Sequence, residues 1–413
     1  MTPDAARQAP GCPVVHLDFS APKAFGCHWQ QAAELREAGA AYFNEFAQGY
    51  WIFTRHDAVQ AIYKETDVFS SESITPWEPE PIYRFIPTQI DPPEHIKYRH
   101  LLNPWFSAQA MGERAPRMKE ICTRLVAELA PRGKCDFVSD FALRYPTEVF
   151  LDVVGVPLER ADEFVAWVDL FFTGFGGAAD GEEAMAEAVA SIRGYWQQAL
   201  EERRGEAEPR PGDLPSYLLH AEHDDGRPLT ETELLDILLV LVLAGLDTTR
   251  GELGFMFRHL AEHPEHRRAL IEDSSLIPTA VEEIARFYPI IFGEGRKVAR
   301  DVEFHGVQLK QGEMVYGLVS GANRDPRVFE RADEFVIDRK RSPHLGFATG
   351  PHQCLGIHLA RRELRTVLEV WLELIPDFEL ATDEPLRERG GGNMLALLSL
   401  PLRWEPDRAG AAA

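Results

Sequence analysis

The chain has 413 residues, 45% of them hydrophobic, and carries 43 basic against 66 acidic side chains for a net charge of -23. That length and composition allow a large core in one big domain or two ordinary ones, and the acidity argues against nucleic acid or an anionic membrane as a partner. Five cysteines, Cys12, Cys27, Cys122, Cys135 and Cys354, form no CxxC pair, which fits a reducing compartment and argues against a disulfide framework or a structural zinc site.

In chain order, the first twenty residues hold an early acid, an early proline and no sustained apolar run, so neither a secretory signal nor a membrane anchor is expected and the protein reads as cytoplasmic. Residues 1–30 and 70–93 are proline-rich and read as irregular. The second, "SSESITPWEPEPIYRFIPTQIDPP", is a loop of a length that tends to carry function. From about 94 to 290 the periodicity predicts a run of helices, broken at Pro146, at Pro157, at the glycines near 174–181 and at the charged segment 201–213. Residues 296–320 then alternate apolar and polar positions about a His305-Gly306 turn, which predicts short strands. No internal repeat and no clean linker is found, so one large, mainly helical domain is expected over two.

Two of the helices stand out. In "LTETELLDILLVLVLAGLDTTRGELGFMFRHLAEHP", Thr230 and Glu233 make a T-x-x-E capping box and Pro264 ends the run, predicting a helix of about 30 residues that crosses the domain. Its uncharged stretch, Ile237 to Leu246, is half of what a bilayer needs. The middle, "AGLDTT", is made of weak helix formers. Two readings are open: a ligand pressing on the backbone, or a helix crossing with a solvated aspartate. The second helix runs from near Pro278 to before Pro289 and sets Glu283 and Arg286 on one face, a pairing any surface helix offers. Further on, "FATGPHQCLG" places Cys354 among glycines.

Taken together, A-G-x-D-T-T at 244–249, E-x-x-R at 283–286 and F-x-x-G-x-x-x-C-x-G at 347–356 resemble the cytochrome P450 family over nearly the whole chain. "YRFIPTQIDPPE", "EFHGVQLKQGE", "CLGIHLARRE" and "IPDFEL" are similar to segments of its bacterial camphor hydroxylase branch. The resemblance implies a mainly α fold with small β-sheets, residues 1–413 forming a single haem domain, and haem b lying between the long central helix and the cysteine loop. It implies that Cys354 is the axial thiolate, shielded by Phe347, and that His95, Arg99, Arg296 and His352 meet the propionates, joined by Glu294 through a shared proton or arginine. Ala244 and Gly245 are expected to leave room for O2, Thr248 to hold it or its water, and Asp247 to relay protons. Glu283, Arg286 and Arg339 are expected to form a structural ion network.

The implied reaction is monooxygenation. No flavin or nicotinamide domain is read, so electrons are expected from a separate iron–sulfur ferredoxin with its reductase. Arg99, Arg361, Arg362 and Arg365 are a candidate docking patch, a solvated helix face being the competing account. The resemblance places Tyr83, Phe85, Thr88, Val240, Leu243, Phe292, Asn393 and Met394 at the substrate, an apolar wall suited to a compact terpenoid, norisoprenoid or small aromatic. The bulk of Phe292 and the polarity of Asn393 count against camphor itself. A peroxide-using hydroxylase and a haem-based sensor or ligand-binding protein are the alternatives; the Asp247-Thr248 pair argues against both.

Overall fold

The computed structural model describes residues 13–19, 21, 26–80, 84–175, 181–389 and 393–406. Its axis is the helix Glu231–Glu262, 32 residues long, about 48 Å at 1.5 Å per residue. The capping box starts it: Thr230 Oγ1 accepts from the Glu233 amide at 3.3 Å, and Glu233 Oε2 accepts from the Thr230 amide at 2.7 Å. Glu233 also takes both guanidinium nitrogens of Arg227 at 2.9 Å and the Tyr98 hydroxyl at 2.6 Å, which hold its carboxyl well below the usual carboxylate range. This first turn thereby ties the strut to the helix Glu94–Leu102.

The strut is apolar on most sides because it is surrounded. Arg144–Val154, Ala161–Phe175, Gly181–Glu201 and the strand Ala396–Leu397 all pack on it. Among the described residues no helix is long and apolar enough to cross a membrane.

The helical run holds, with three differences. Pro146 does not break a helix but lies in the first turn of Arg144–Val154, where a missing N–H has no intrahelical partner to lose. Pro116, which the periodicity passes over, sits inside Ala108–Leu129. A strand, Lys134–Asp136, interrupts the run and pairs antiparallel with Pro401–Arg403 near the end of the chain. At the N-terminal end, the segment read as irregular contains the strand Val14–Val15 and the start of the helix Cys27–Ala38.

The expected strands form. The hairpin Val302–Phe304 and Val307–Leu309 turns through His305 (φ 49°) and Gly306 (φ 82°), the pair of positive angles a two-residue I′ turn requires. Glu294–Val298 and Met314–Gly317 lie inside a six-stranded sheet in the order Val14–Val15, Ala41–Asn44, Tyr50–Phe53, Met314–Gly317, Glu294–Val298, Phe69–Ser70. That sheet carries Arg296. The cysteine loop runs directly into the helix Ile357–Leu374, which packs along Ala108–Leu129.

Candidate active site

The loop around Cys354 is bent by contacts that admit no side chain. A Cβ on Gly350 (φ +75°) would stand 2.8 Å from the Tyr63 carbonyl oxygen, and one on Gly346 would stand 2.5 Å from that of Ala285. The bend returns the Cys354 amide to the Phe347 carbonyl at 2.9 Å. Burial pushes the Cys354 thiol up, against the backbone N–H of Gly356, which donates to the sulfur, and the charges of Arg99 and Arg361. Phe347 carries the Arg361 guanidinium over its ring at 5.3 Å, and Arg361 is held by Glu282 at 2.7 and 2.6 Å. Arg361 is therefore ion-paired within the chain, and the outward basic patch is left to the half-buried Arg99, Arg362 and Arg365. Of the other cysteines, Cys12 lies outside the described residues, Cys27 is exposed, and Cys122 and Cys135 are buried with thiols pushed up by desolvation.

Beside this loop the chain assembles His95 and Arg99 from the helix Glu94–Leu102, Arg296 from the strand Glu294–Val298 and His352 from the cysteine loop itself, three separate segments. The imidazoles of His95 and His352 lie 4.0 Å apart, and His95 Nδ1 and His352 Nε2 are buried without a partner. Burial, with Arg99 next in order, pushes His95 down to about 4. Burial and then Arg296, His95 and Arg99 push His352 down to about 2. Arg296, 2% exposed, donates to the Gly295 carbonyl at 2.6 Å and to Glu294 at 3.1 Å, so Glu294 shares an arginine. Orphaned nitrogens beside two guanidiniums call for an anionic acceptor, and the two carboxylates of haem b fit that need.

On the strut, Val240 and Thr248 are half-buried and Ala244 is exposed, while Leu241, Val242, Leu243, Leu246 and Asp247 around them are buried. Accessibility at every fourth residue of an otherwise enclosed helix marks an internal space along that stripe. Thr248 Oγ1 donates to the Ala244 carbonyl at 2.6 Å. Gly245 is half-buried, and a Cβ there would stand 2.8 Å from the Phe150 ring, so the glycine also makes room for a neighbouring helix. Asp247, 1% exposed, is gripped by both terminal nitrogens of Arg389, one at 2.9 Å, and has Arg250 at 3.5 Å; Arg250 continues to the exposed Asp169 at 2.6 Å. Next to it, Thr249 meets the buried Glu363 at 3.4 Å, and burial pushes that carboxyl well up. Arg389, Arg250, Asp169 and Glu363 are not singled out from sequence; Arg250 is three residues from Asp247 on one helix, while the other three are joined to the site only by their positions in space.

Glu283 and Arg286, both without side-chain exposure, pair through two contacts of 2.7 Å. Arg339 adds a third at 2.9 Å and the Val336 amide a fourth at 2.7 Å, so the three side chains meet in one ion-paired group.

The expected substrate wall divides. Phe85, Thr88, Val240 and Met394 are half-buried; Leu243 and Asn393 are buried; Tyr83 lies outside the described residues. Asn393 Nδ2 donates to the Ile74 carbonyl at 3.0 Å, leaving its Oδ1 buried without a partner. Phe292 departs from the expected wall. It is 1% exposed, with its ring centroid 5.5 Å from those of Phe19 and His28 and 6.1 Å from Trp29, a core position with no face left for a ligand.

A half-buried thiol on a bent loop, with an anion-seeking cluster at its side and a helix carrying an acid and a threonine, is an arrangement that fits a haem bound through sulfur. The family model for cytochrome P450 matches residues 160–404. The chain is 34% identical over 366 residues to the mycinamicin IV hydroxylase/epoxidase of Micromonospora griseorubida, covering 87% of this chain and 90% of that one. It is 32% identical to the steroid C26-monooxygenase of Mycolicibacterium smegmatis, covering 86% and 87%. Among solved structures, CYP101C1 superposes with a TM-score of 0.86 at 31% identity over 98% of this chain and all of the other, and CYP101J2 with 0.86 at 29% over 98% and 99%. The chain belongs to the cytochrome P450 family. It is a monooxygenase of the bacterial type, an oxidoreductase whose cofactor is haem b, and its structural relatives include the camphor-type CYP101 group anticipated from the sequence segments.

Proposed function

We propose that the protein hydroxylates a compact apolar molecule with O2 and electrons from a separate ferredoxin, in the cytoplasm, with haem b that Cys354 would hold through its sulfur. The observation that carries this is the pairing of the bent Cys354 loop with the orphaned nitrogens of His95 and His352. When bound, the haem supplies the activation of dioxygen that puts one oxygen atom into a C–H bond. Cys354 gives up its proton on ligation, and the Gly356 N–H, Arg99 and Arg361 stabilise the charge left on sulfur. His95, Arg99, Arg296 and His352 hold the carboxylates.

On the other face, the Thr248 hydroxyl stands on the accessible stripe and can rotate from the Ala244 carbonyl to donate into the cavity. Asp247 can bring protons to it once its carboxylate leaves Arg389. Phe85, Thr88, Val240 and Met394 offer mainly apolar contact, with the Thr88 hydroxyl the one polar side-chain group among them. That balance suits a terpenoid, norisoprenoid or small aromatic rather than a charged or sugar-bearing molecule. Arg99, Arg362 and Arg365, on segments adjoining Cys354, suit an acidic ferredoxin.

The test is one preparation assayed with surrogate ferredoxin and reductase. Cys354→His is expected to bind haem but lose the red-shifted carbon monoxide band of thiolate ligation. Thr248→Ala is expected to make product about 10²–10⁴-fold more slowly while still consuming reductant and releasing peroxide. Wild-type turnover with peroxide alone, and none with ferredoxin, would move the protein to the peroxide-using class.

A further inference from the structure

The turn at the far end of the strut, "HLAEHPEHR" over 259–267, gathers side chains that the oxygenase site does not use. His263 ends the strut and precedes Pro264–Glu272, and the reversal of the chain there folds His263, Glu265 and His266 toward one another. One ligand atom from each lies within 4.8 Å of the others, the one such group of three among the described residues. His263 Nδ1 is 3.1 Å from Glu265 Oε1.

Beneath them, one turn back, His259 is 1% exposed and sandwiched between the rings of Phe335 at 3.9 Å and His263 at 4.4 Å. Its Nε2 is 3.0 Å from His266 Nδ1, and its Nδ1 is 3.2 Å from the Tyr288 hydroxyl.

We propose that His263, Glu265 and His266 bind one divalent transition-metal ion, with water completing the coordination and His259 as a positioning residue. Two imidazoles and a carboxylate form a borderline donor set that suits Zn²⁺ or Cu²⁺ and is poor for Ca²⁺ or Mg²⁺, which take oxygen ligands. The hydrogen-bond chain has two proton arrangements. In one, His266 Nδ1–H donates to His259 Nε2 and His259 Nδ1–H donates to Tyr288, leaving the His266 Nε2 lone pair for the ion. In the other, the protons run the opposite way and occupy that nitrogen. The ion selects the first, so His259 and Tyr288 fix the tautomer and aim of His266, as the outer partners of metal-bound imidazoles do. The bound ion fastens the end of the strut to the start of the next helix.

Tag-free holoprotein titrated calorimetrically with zinc chloride is expected to take up one equivalent, to gain thermal stability and to leave the haem spectrum unchanged. His263→Ala and His266→Ala are each expected to weaken uptake by about tenfold or more. His259→Phe keeps the ring packing and removes the acceptor, and is expected to weaken it by roughly 10–100-fold. Tyr288→Phe provides the milder version if His259→Phe does not fold. No uptake by the wild type at a large excess of zinc, or unchanged affinity in His263→Ala and His266→Ala, overturns the site. Unchanged affinity in both His259→Phe and Tyr288→Phe overturns the positioning role. Undiminished uptake in a large excess of Mg²⁺ supports the donor-set argument, and displacement by Mg²⁺ overturns it.

Discussion

Two polar clusters in this molecule each gather two arginines and differ in closure. In the Glu283 network, the Glu283 carboxylate takes Arg286, Arg339 and the Val336 amide, and Arg286 spends its remaining donors on the carbonyls of Asn323, Ala332 and Glu334. In the His95 cluster, two imidazoles and two arginines converge and two imidazole nitrogens go unmet. The closed cluster needs nothing beyond the chain and acts on the fold. The open one is incomplete without an anion, and that incompleteness identifies a binding site more surely than the residue types do.

The contrast predicts unlike failures. Glu283→Gln, which strands two buried guanidiniums, is expected to cost about 3–5 kcal/mol, read as a lower urea midpoint in haem-free and haem-bound protein alike. A loss confined to the haem-bound form would make this network part of the binding site. Arg296→Leu acts the other way round. The haem-free protein is expected to keep most of its stability, while loss of a charge-assisted hydrogen bond of about 1.5–3 kcal/mol speeds haem transfer to apomyoglobin roughly ten- to a hundredfold.

The smallest effect is in pH. A histidine whose folded value lies below the unfolded one stabilises the fold above the unfolded value and loses that stability as pH falls toward the folded value. For His95 that window runs from about 6.5 down to about 4. Haem-free protein is therefore expected to lose stability on acidification with a slope of at most about 1.4 kcal/mol per pH unit for each such imidazole. Bound carboxylates raise both histidines, so haem flattens the profile, and His95→Gln flattens the haem-free one. Glu252, which burial pushes up to about 8, contributes in the opposite sense, losing stability as pH rises from about 4.5 toward 8. Parallel profiles with and without haem would separate the cluster from haem binding.

Legibility in the sequence followed distance along the chain. The strut, its capping box and the Glu283–Arg286 pair depend on residues three or four apart and were readable. The strand Lys134–Asp136 is three residues long, too short to show alternation, and its partner strand begins at Pro401. Gly245 announced a close approach without saying of what, and the answer, Phe150, comes from another helix. Phe292 was misread because a phenylalanine suits a core and a pocket wall equally; the aromatic rings of Phe19 and Trp29 that enclose it come from the N-terminal segment. Arg389 left no local signal at all.

That arginine carries a consequence for the order of assembly. Asp247 and Arg389 are 142 residues apart, an interval of on the order of ten seconds at ordinary translation rates. Throughout it the strut has been made and the acid at its middle lacks this partner. Until then its countercharge is Arg250, three residues on at 3.5 Å, which is itself shared with Asp169, so the middle of the strut is expected to settle against its neighbours only after the segment that carries Arg389 has been made.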